Sequence, residues 1–396
     1  MSHVVVVTSE RIDAHPAGPG LRALGLARGL SHHGHDVEVV APSSVATVAG
    51  LRMIAPSGLA SAARTADAII IPASLVGACP LALKASSLCV DFAGPFPLEA
   101  IASGADPGTV RRAEEAAVFA TTNADLIICA HERQVAYSRE LCDRHGRPIE
   151  SADRRYVLVP FGIPDKLGRA AVSPSHRADD DTSLRLVWPG GIWDWLDPFI
   201  AVEALRGLPD RISIDFWGTQ SPDPSAPRMQ AAERLARTVE DRGMQHRVRM
   251  VGWVPPEEFD HRLSTFDLAV TFDHAGVEAT HAFRTRLLHA LSHGVPTLAT
   301  RGEFVADLAA GEGAGWVCEP GDADGLRRVI AELDYDRAAI RRASASALSV
   351  AKRFDYDLLV EPLHLWLGNP ERFRLPRRDK PPLASRVRRV LRQFAA

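Results

Sequence analysis

The sequence predicts an α/β fold of two doubly wound domains, each with a parallel sheet covered by helices. Three observations lead to this prediction. At 396 residues the chain exceeds what one hydrophobic core usually serves, and 46% hydrophobic residues are enough to fill two cores. Short apolar runs rich in β-branched residues alternate with helical patterns, as in βαβ units. This alternation restarts after a polar segment near the middle of the chain.

The first half begins with a βαβ unit. The run Val4 to Thr8 is continuous and β-branched, which is typical of a strand buried on both faces. Apolar residues at helical spacing follow over 21–30, and Gly34 separates them from a strand at 37–40. Further apolar runs predict strands of the same sheet at 68–71, 88–90, 126–129 and 156–159. We assign residues 1–170 to this amino-terminal domain.

Glycines and polar residues stand where strands of this half end. Gly18 and Gly20 are predicted in a loop before the first helix, with Arg22 one step inside it, and such a loop lets a ligand approach backbone amides. The loop lacks the full dinucleotide-binding spacing and is equally consistent with a structural turn. Asp91 and His131 follow apolar strands, where ligands of open α/β sheets bind, although either residue can simply cap a helix. All five are candidate ligand contacts.

A polar, proline-bearing segment without apolar periodicity predicts a linker at 171–183. A second α/β series follows, and we assign it to a domain at 184–345. Its strands are predicted at 184–188, 212–217, 248–251 and 268–272. The glycine pair Gly190 and Gly191 directly follows the first of these strands. The two halves share an architecture but no sequence repeat.

Residues 277–300 combine unlike signals and form the predicted centre of the chemistry. A polar loop around Glu278 leads into a helix over 283–293, which ends before a glycine, a proline and an apolar strand. Arg284 and Arg286 lie in the first turn, where positive charge opposes the helix dipole unless an anion is near. Helix amides and two guanidinium groups suit a diphosphate. An ordinary solvated helix face would give the same pattern.

Composition excludes several classes of protein. A formal net charge of -3 and a pI near 6.6 give no general attraction to nucleic acid. The five cysteines show no Cys-x-x-Cys spacing, which predicts reduced thiols and a cytoplasmic location. The amino terminus lacks a signal-peptide pattern, and no apolar run reaches the ~18 to 20 residues of a membrane span.

The last part of the chain, 346–396, is predicted to contain crossing-back helices and a basic tail. Nine Lys or Arg stand beyond Glu371 against Glu371 and Asp379, with apolar residues at helical spacing. This tail predicts peripheral contact with an anionic membrane surface, a helix docked on the protein, or a frayed end. Two Asp-x-Asp pairs, at 334–336 and 355–357, have helical flanks unlike the strand-end loop of a catalytic metal site, so no metal is predicted.

Segments in both halves, taken in order, resemble those of the GT-B fold glycosyltransferases, specifically glycosyltransferase family 4. In the first half they are AGPGLRALGLARGLSHHGHDVEVV, ADLIICAHERQ and VLVPFGIPD. In the second half they are LVWPGGIWDWLDPFIAVEAL, VRMVGWVPPEEFDHRLSTFDLAV and FRTRLLHALSHGVPTLAT, which are similar to a bacterial branch with a GGIWDWLDP-like donor loop. The resemblance covers most of the chain. It implies two Rossmann-like domains that face each other across a cleft, the acceptor side first and the donor side second.

The resemblance further implies a retaining, metal-independent transfer of a sugar from a nucleotide-diphosphate donor to a small-molecule or carrier-linked acceptor, with no cofactor. By position, Gly190 and Gly191 would approach the diphosphate, Val254 and its neighbours would meet the base, and Arg284 and Arg286 would hold the phosphates. Charge that grows on the leaving diphosphate would be stabilised there. The leaving phosphate would help to deprotonate the acceptor, which the Asp91 and His131 candidates of the first domain would orient.

Two features depart from the family pattern. Where many members carry Arg and Lys after the first donor-domain strand, this chain has Trp193 and acidic neighbours. The two usual glutamates fall on His281 and His289, and Glu278 is the nearest acid. These differences leave room for an unusual donor or acceptor, as in antibiotic or other natural-product biosynthesis, with oxygen, nitrogen or sulfur as the acceptor atom. A sugar-nucleotide epimerase on the same fold and a catalytically inactive sugar-nucleotide-binding protein are the alternatives.

Overall fold

The computed structural model describes residues 1–12, 18–42, 45–149, 155–163, 182–219 and 229–369. The chain divides into two α/β units, which we call unit 1 (residues 1–167 and 354–396) and unit 2 (residues 168–353). Most of the predicted linker at 171–183 and all of the predicted basic tail from 370 onward lie outside the described ranges.

Unit 1 is built around an eight-stranded sheet. Its strands are β1 (His3–Val7), β2 (Asp36–Val40), β3 (Thr47–Val48), β4 (Leu51–Ile54), β5 (Ala68–Pro72), β6 (Ser87–Asp91), β7 (Leu126–Cys129) and β8 (Tyr156–Leu158). Its first helices are α1 (Gly18–His32), α2 (Leu59–Thr65), α3 (Ala73–Val76), α4 (Phe96–Ala102), α5 (Pro107–Asn123) and α6 (Glu132–Arg144). Two short 3-10 helices lie at Pro56–Gly58 and Pro80–Lys84.

Buried β-branched strands explain this sheet. Its order is β3-β4-β2-β1-β5-β6-β7-β8, and every pairing is parallel except that of β3 with β4. Successive side chains of a strand point to opposite faces, so Val4 and Val6 pack into one hydrophobic core while Val5 and Val7 pack into another. The predicted strand at residue 4 is therefore central and covered on both faces, as its continuous apolar run indicated.

Unit 2 repeats the architecture with six strands. Its strands are β9 (Leu184–Trp188), β10 (Ile212–Trp217), β11 (Val248–Gly252), β12 (Leu268–Thr271), β13 (Thr297–Thr300) and β14 (Gly315–Cys318). Its helices are α7 (Phe199–Leu205), α8 (Gln230–Asp241), α9 (Pro256–Leu263), α10 (Val277–His281), α11 (Thr285–Ser292), α12 (Phe304–Gly311), α13 (Ala323–Tyr335) and α14 (Arg337–Ala351). The sheet is parallel throughout, in the order β11-β10-β9-β12-β13-β14.

The chain then returns to unit 1. A 3-10 helix at Lys352–Phe354 leads to α15 (Tyr356–Leu359) and α16 (Glu361–Leu367). The Tyr356 ring occupies space that only glycine leaves open, because a Cβ at Gly25 of α1 or at Gly162 would overlap it. The absence of a side chain at Gly25 therefore lets the returning chain pack directly against α1.

Two further observations concern the whole described chain. The five cysteines are buried and unpaired, and burial raises the pKa of each thiol. Within the described ranges, no helix combines the length and apolar character that a membrane crossing requires.

Candidate functional site

The strand order of unit 2 defines where a ligand is expected. From the central β9 the chain moves outward to β10 and β11, and it then restarts on the other side at β12. Ligands of open α/β sheets bind outside the carboxyl ends of the strands at such a switch point. Gly190 and Gly191 follow β9, and Asp273 follows β12. The backbone links these two ends, since Asp197 N donates to Phe272 O at 2.8 Å.

Arg286 lies on the glycine turn after β9, which brings together three residues that the sequence singled out. Its Nη1 donates to the Gly191 carbonyl at 2.7 Å. A Cβ added at Gly190, where φ is +127°, would lie 3.7 Å from the guanidinium carbon. The guanidinium also lies 5.9 Å from the centre of the Trp188 ring. The turn and the first helical turn of α11 therefore form one local structure.

Gly218, which the sequence interpretation missed, supports this turn from the end of β10. Its φ is +67°, and a Cβ there would lie 2.7 Å from the Gly190 carbonyl carbon and 2.8 Å from the Gly191 nitrogen. Only glycine permits that approach. A glycine directly after the predicted strand 212–217 was the available signal.

Arg284 is surrounded by carboxylates of the protein itself. It stands at the N-cap of α11 rather than in its first turn. Its Nε donates to Asp273 at 3.0 Å and its Nη1 to Glu278 at 3.0 Å, while its backbone nitrogen donates to Glu303 at 2.7 Å. Burial opposes its charge, but Asp273 and Glu278 raise the pKa of Arg284 well above its usual value. The negative charge that the sequence pattern required near Arg284 is thus supplied by the protein itself. We call Arg284, Asp273, Glu278 and Glu303 together the carboxylate cluster.

The same cluster accounts for Glu278 and the segment before α11. The predicted polar loop is wrong here, because Val277–His281 forms α10. Glu278 is 6% exposed and both of its oxygens accept from Arg284. Glu303 accepts from the Ala306 nitrogen at 2.8 Å, so it also caps α12, and burial raises the pKa of Glu303 to about 7. Glu278 is therefore an ion-pair partner of Arg284, and a contact of Glu278 with a ligand stays a prediction.

Arg286 has a different environment. No carboxylate of the described ranges lies within ion-pairing distance of its guanidinium. Burial and the neighbouring Arg284 lower the pKa of Arg286 to about 10, which leaves it protonated at neutral pH. One N–H is used by the Gly191 carbonyl, and a guanidinium has five. Arg286 is thus a cation with spare donors on a glycine turn, an arrangement that favours a phosphate ligand.

The acidic residues that replace the expected basic pair have structural roles. Trp193 stacks on Trp195 with ring centres 5.4 Å apart, and a Cβ at Gly191 would lie 3.1 Å from the Trp193 indole nitrogen. Asp194 accepts from the Ala231 nitrogen at 2.6 Å and so caps α8. Trp193 therefore borders the glycine turn, and the contact with substrate for which it is a candidate stays a prediction.

Three other donor-side candidates have contacts of their own within unit 2. The Val254 side chain is 5% exposed and packs in a core cluster with Trp217, and a contact of Val254 and its neighbours with a base stays a prediction. His281 Nδ1 lies 2.8 Å from the Val277 carbonyl of its own helix. His289 stacks on Phe259 and its Nε2 lies 2.9 Å from Asp260 Oδ1. Contacts of the two histidines with a donor stay predictions.

In unit 1, two candidates are partners of each other. Arg22 Nε donates to Asp91 Oδ2 at 2.6 Å and Nη2 donates to Oδ1 at 3.0 Å. The remaining donors reach the carbonyls of Val159 and Pro160 at 2.9 and 3.0 Å. Burial opposes the charge, and Asp91 raises the pKa of Arg22. The two residues therefore form one buried ion pair that ties α1 and β6 to the segment after β8, and a ligand contact at either residue stays a prediction.

The remaining unit 1 candidates are helix-terminal residues. The predicted loop at Gly18 and Gly20 is wrong, because α1 begins at Gly18 and both glycines lie in its first turn. His131 stands at the N-cap of α6 with an extended backbone and is 1% exposed. An acceptor contact at His131 stays a prediction.

Part of unit 2 matches a known protein family, and the whole chain is similar to solved structures. Residues 202–347 match the family described as Glycosyl transferases group 1. No curated protein matches the chain. Sucrose-phosphate synthase from Thermosynechococcus elongatus has a similar structure, with a TM-score of 0.66 and 14% identity over 94% of this chain and 98% of that one.

Two other solved structures are similar. Anabaena HepE in complex with UDP and glucose has a TM-score of 0.65 and 15% identity over 93% of this chain and 100% of its own. WaaG, a glycosyltransferase involved in lipopolysaccharide biosynthesis, has a TM-score of 0.62 and 15% identity over 92% and 100%. These similarities and the two α/β units establish the GT-B fold for this chain, within which residues 202–347 match the Glycosyl transferases group 1 family.

Proposed function

We propose that this protein is a retaining, metal-independent glycosyltransferase of the family 4 type. It transfers a sugar from a nucleotide-diphosphate sugar to a small-molecule or carrier-linked acceptor, needs no cofactor, and acts in natural-product biosynthesis in the cytoplasm. One observation carries the proposal: the Arg286 guanidinium lies on the Gly190–Gly191 turn at the switch point of unit 2, protonated and without a carboxylate partner in the described ranges. The match of residues 202–347 to the glycosyl transferases supports it.

The chemistry follows from charge. As the sugar bond breaks, negative charge grows on the leaving diphosphate, and a preorganised cation stabilises that charge more than it stabilises the intact donor. Arg286 is held in place by the Gly191 carbonyl at 2.7 Å before any donor binds. The carboxylate cluster fixes the chain immediately before α11, because Arg284 is bonded to Asp273 and Glu278 through its side chain. We assign phosphate binding to Arg286 and the positioning of the helix start to Arg284.

The first donor to test is UDP-glucose, because HepE has been solved in complex with it. We expect Arg286→Ala to weaken binding of the nucleotide sugar about 10-fold to 100-fold, since a hydrogen bond to a charged group contributes ~1.5–3 kcal/mol. Arg286→Lys should restore little of this affinity, because an ammonium lacks the planar fork. Arg342→Ala is the matched control, since Arg342 is an exposed arginine of the same unit that pairs with the exposed Asp336.

The measurement is calorimetric titration of a panel of nucleotide sugars, followed by product analysis with candidate acceptors in the presence of a chelator. The proposal requires release of nucleoside diphosphate that depends on an acceptor, with the anomeric configuration of the sugar kept. Turnover of the donor alone into an isomer would instead establish the epimerase alternative. Binding of a donor without turnover by any acceptor would establish the non-catalytic alternative, and equal affinity in the Arg286 and Arg342 variants would remove Arg286 from the site.

A further inference from the structure

We propose that Asp260, His289 and His293 form a binding site for a divalent transition-metal ion, and that Zn²⁺ fits it best. Asp260 lies on α9, whereas His289 lies on α11 and His293 is the C-cap residue of that helix. Residues four positions apart on a helix share one face. One ligand atom from each of the three side chains lies within 4.8 Å of the other two.

The interatomic distances suit a shared ion. His289 Nε2 lies 2.9 Å from Asp260 Oδ1, and His293 Nε2 lies 3.6 Å from the same oxygen. Zinc binds imidazole nitrogen and carboxylate oxygen at about 2.0–2.2 Å, so neighbouring ligands of a tetrahedral site are about 3.4 Å apart. The two distances fall on either side of that value. All three ligand atoms lie within 4.8 Å of one another, so movement of the side chains alone can bring both nitrogens and the oxygen to one ion.

The contacts of the His293 ring orient its Nε2 toward this site. Ser292 Oγ donates to the His289 carbonyl at 2.7 Å, and His293 Nδ1 lies 3.0 Å from that carbonyl and 3.1 Å from Ser292 Oγ. A carbonyl can only accept, and the hydroxyl proton is already used, so Nδ1 carries the ring proton. Nε2 then presents a lone pair toward Asp260. Metal-binding imidazoles are commonly oriented by such a bond from the opposite ring nitrogen.

The ligand set and the surroundings select the class of ion. Two imidazoles and one carboxylate suit zinc and similar transition metals, whereas magnesium and calcium prefer oxygen ligands. The side chains of His289, His293 and Asp260 are 23%, 13% and 15% exposed, so an ion can enter from solvent and keep a position for water. The Phe259 ring stacks on His289 with ring centres 5.3 Å apart and restricts the imidazole.

This site is separate from the proposed phosphate site. Arg286 bonds to the Gly191 carbonyl, whereas His289 and His293 contact Asp260 of α9. A bound ion would therefore join α9 to the helix that carries Arg286. The inference does not rest on the proposed function, because it is tested without any nucleotide sugar.

The experiment uses the full chain after removal of metal by a chelator and dialysis. Zn²⁺ alone is titrated by calorimetry, and Co²⁺ is added in a parallel sample for its visible absorption. We expect one dominant Zn²⁺ site per chain and the absorption bands of four- or five-coordinate Co²⁺. His293→Ala and Asp260→Asn should each weaken Zn²⁺ binding by more than the ~10-fold that loss of an outer-shell partner costs.

The matched control is His246→Ala. His246 pairs with Asp210 at 3.4 Å in the same unit but lacks a second imidazole, so its loss should leave Zn²⁺ affinity unchanged. His289→Gln provides a second ligand variant if one of the others does not fold, as judged by circular dichroism. Zinc affinity that is the same in the wild type and in the ligand variants, or no Zn²⁺ bound by the wild type, would overturn the proposal.

Discussion

The carboxyl edges of the two sheets use arginine in opposite ways. In unit 1, Arg22 is 3% exposed, and its guanidinium contacts both carboxylate oxygens of Asp91, two backbone carbonyls and the Phe161 ring. In unit 2, Arg284 is equally satisfied by carboxylates, but Arg286, two residues later, has one carbonyl. A satisfied arginine fixes the local structure, whereas an unsatisfied one is available to a ligand. The number of hydrogen-bonding partners within the protein therefore distinguishes a structural arginine from a ligand-binding one better than location at a strand end does.

The strongest way to break this comparison is to remove each arginine of unit 2 in turn. Arg284→Ala leaves the buried carboxylates of Asp273 and Glu278 without their cation, and we expect a loss of about 3–5 kcal/mol, because a broken buried ion pair leaves an uncompensated charge. Arg286→Ala should leave stability nearly unchanged, since that cation has no carboxylate partner in the described ranges. The measurement is the melting temperature of each variant. Arg301→Ala, which removes an exposed pair with Glu319, is the control, and similar losses for Arg284 and Arg286 would contradict the distinction.

A second test concerns the ion pair of unit 1. Asp91→Leu should destabilise the protein by about 3 kcal/mol because it leaves Arg22 buried and unpaired, whereas the double variant Arg22→Met with Asp91→Leu should recover most of the loss. The free energies of unfolding are measured by urea denaturation with a spectroscopic probe in unit 1. Additive losses would show that Arg22 and Asp91 contribute independently. A double variant that folds and still transfers sugar to its acceptor at the wild-type rate would assign the pair a structural role.

A smaller effect is expected at the glycine turn. Gly218→Ala places a Cβ against the backbone of Gly190 and Gly191, so we expect a loss of more than about 1–2 kcal/mol and weaker donor binding. Gly243→Ala is the matched control, because Gly243 has a similar φ of +62° but no atom within 4 Å of its added Cβ. It should show only the backbone strain and unchanged donor affinity. Equal donor affinity in the two variants would separate Gly218 from the site.

The smallest expected effect is a pH response of opposite sign in the two units. Burial, then His364, the chain's amino terminus and His33, lower the pKa of His35, so the unfolded chain binds more protons below pH ~6.5 and unit 1 should lose stability as pH falls through this value. The pKa of Glu303 is raised to about 7, so the folded state binds more protons and unit 2 should gain stability from pH 7 down toward pH ~4.5.

Peptide-level hydrogen exchange at pH 7.5 and pH 5.5 measures this response in each unit. His364→Gln should reduce the acid sensitivity of unit 1, because it removes the neighbour that His35 Nε2 contacts at 3.0 Å. Glu303→Gln should remove the gain in unit 2. Parallel pH dependence of both units in the wild type would contradict the assignment.

The sequence predicted the strands well because buried parallel strands carry continuous apolar runs. The predicted runs 184–188 and 212–217 coincide with β9 and β10. The glycine pair and Arg286 were also recognised, since both stand at element ends where backbone groups are unsatisfied. Element type and the place of the turn were thus accessible from local pattern.

Side-chain partners were not accessible in the same way. Arg284 meets Asp273 and Glu303, which lie 11 and 19 positions away along the chain, because β12 and β13 are neighbours in the sheet. Arg22 meets Asp91 across 69 positions for a similar reason. Such pairings depend on strand order and register, which the periodicity of a single sequence does not specify. Charge near strand ends therefore predicted a site in both units, although Arg22 and Arg284 pair with carboxylates of the protein and Arg286, within the described ranges, does not.

The return of the chain to unit 1 has a consequence for biosynthesis. The core of unit 1 on the α1 side includes Tyr356, Val360 and Trp366, which follow the whole of unit 2 in the sequence. Domains generally fold in order as they leave the ribosome, but here the first unit lacks part of its core until the last helices are made. Unit 2 is continuous from 168 to 353 and has all of its strands before that point. We therefore expect unit 2 to complete its folding first. Until α15 and α16 are synthesised, the apolar residues of α1 that pack against them stay exposed.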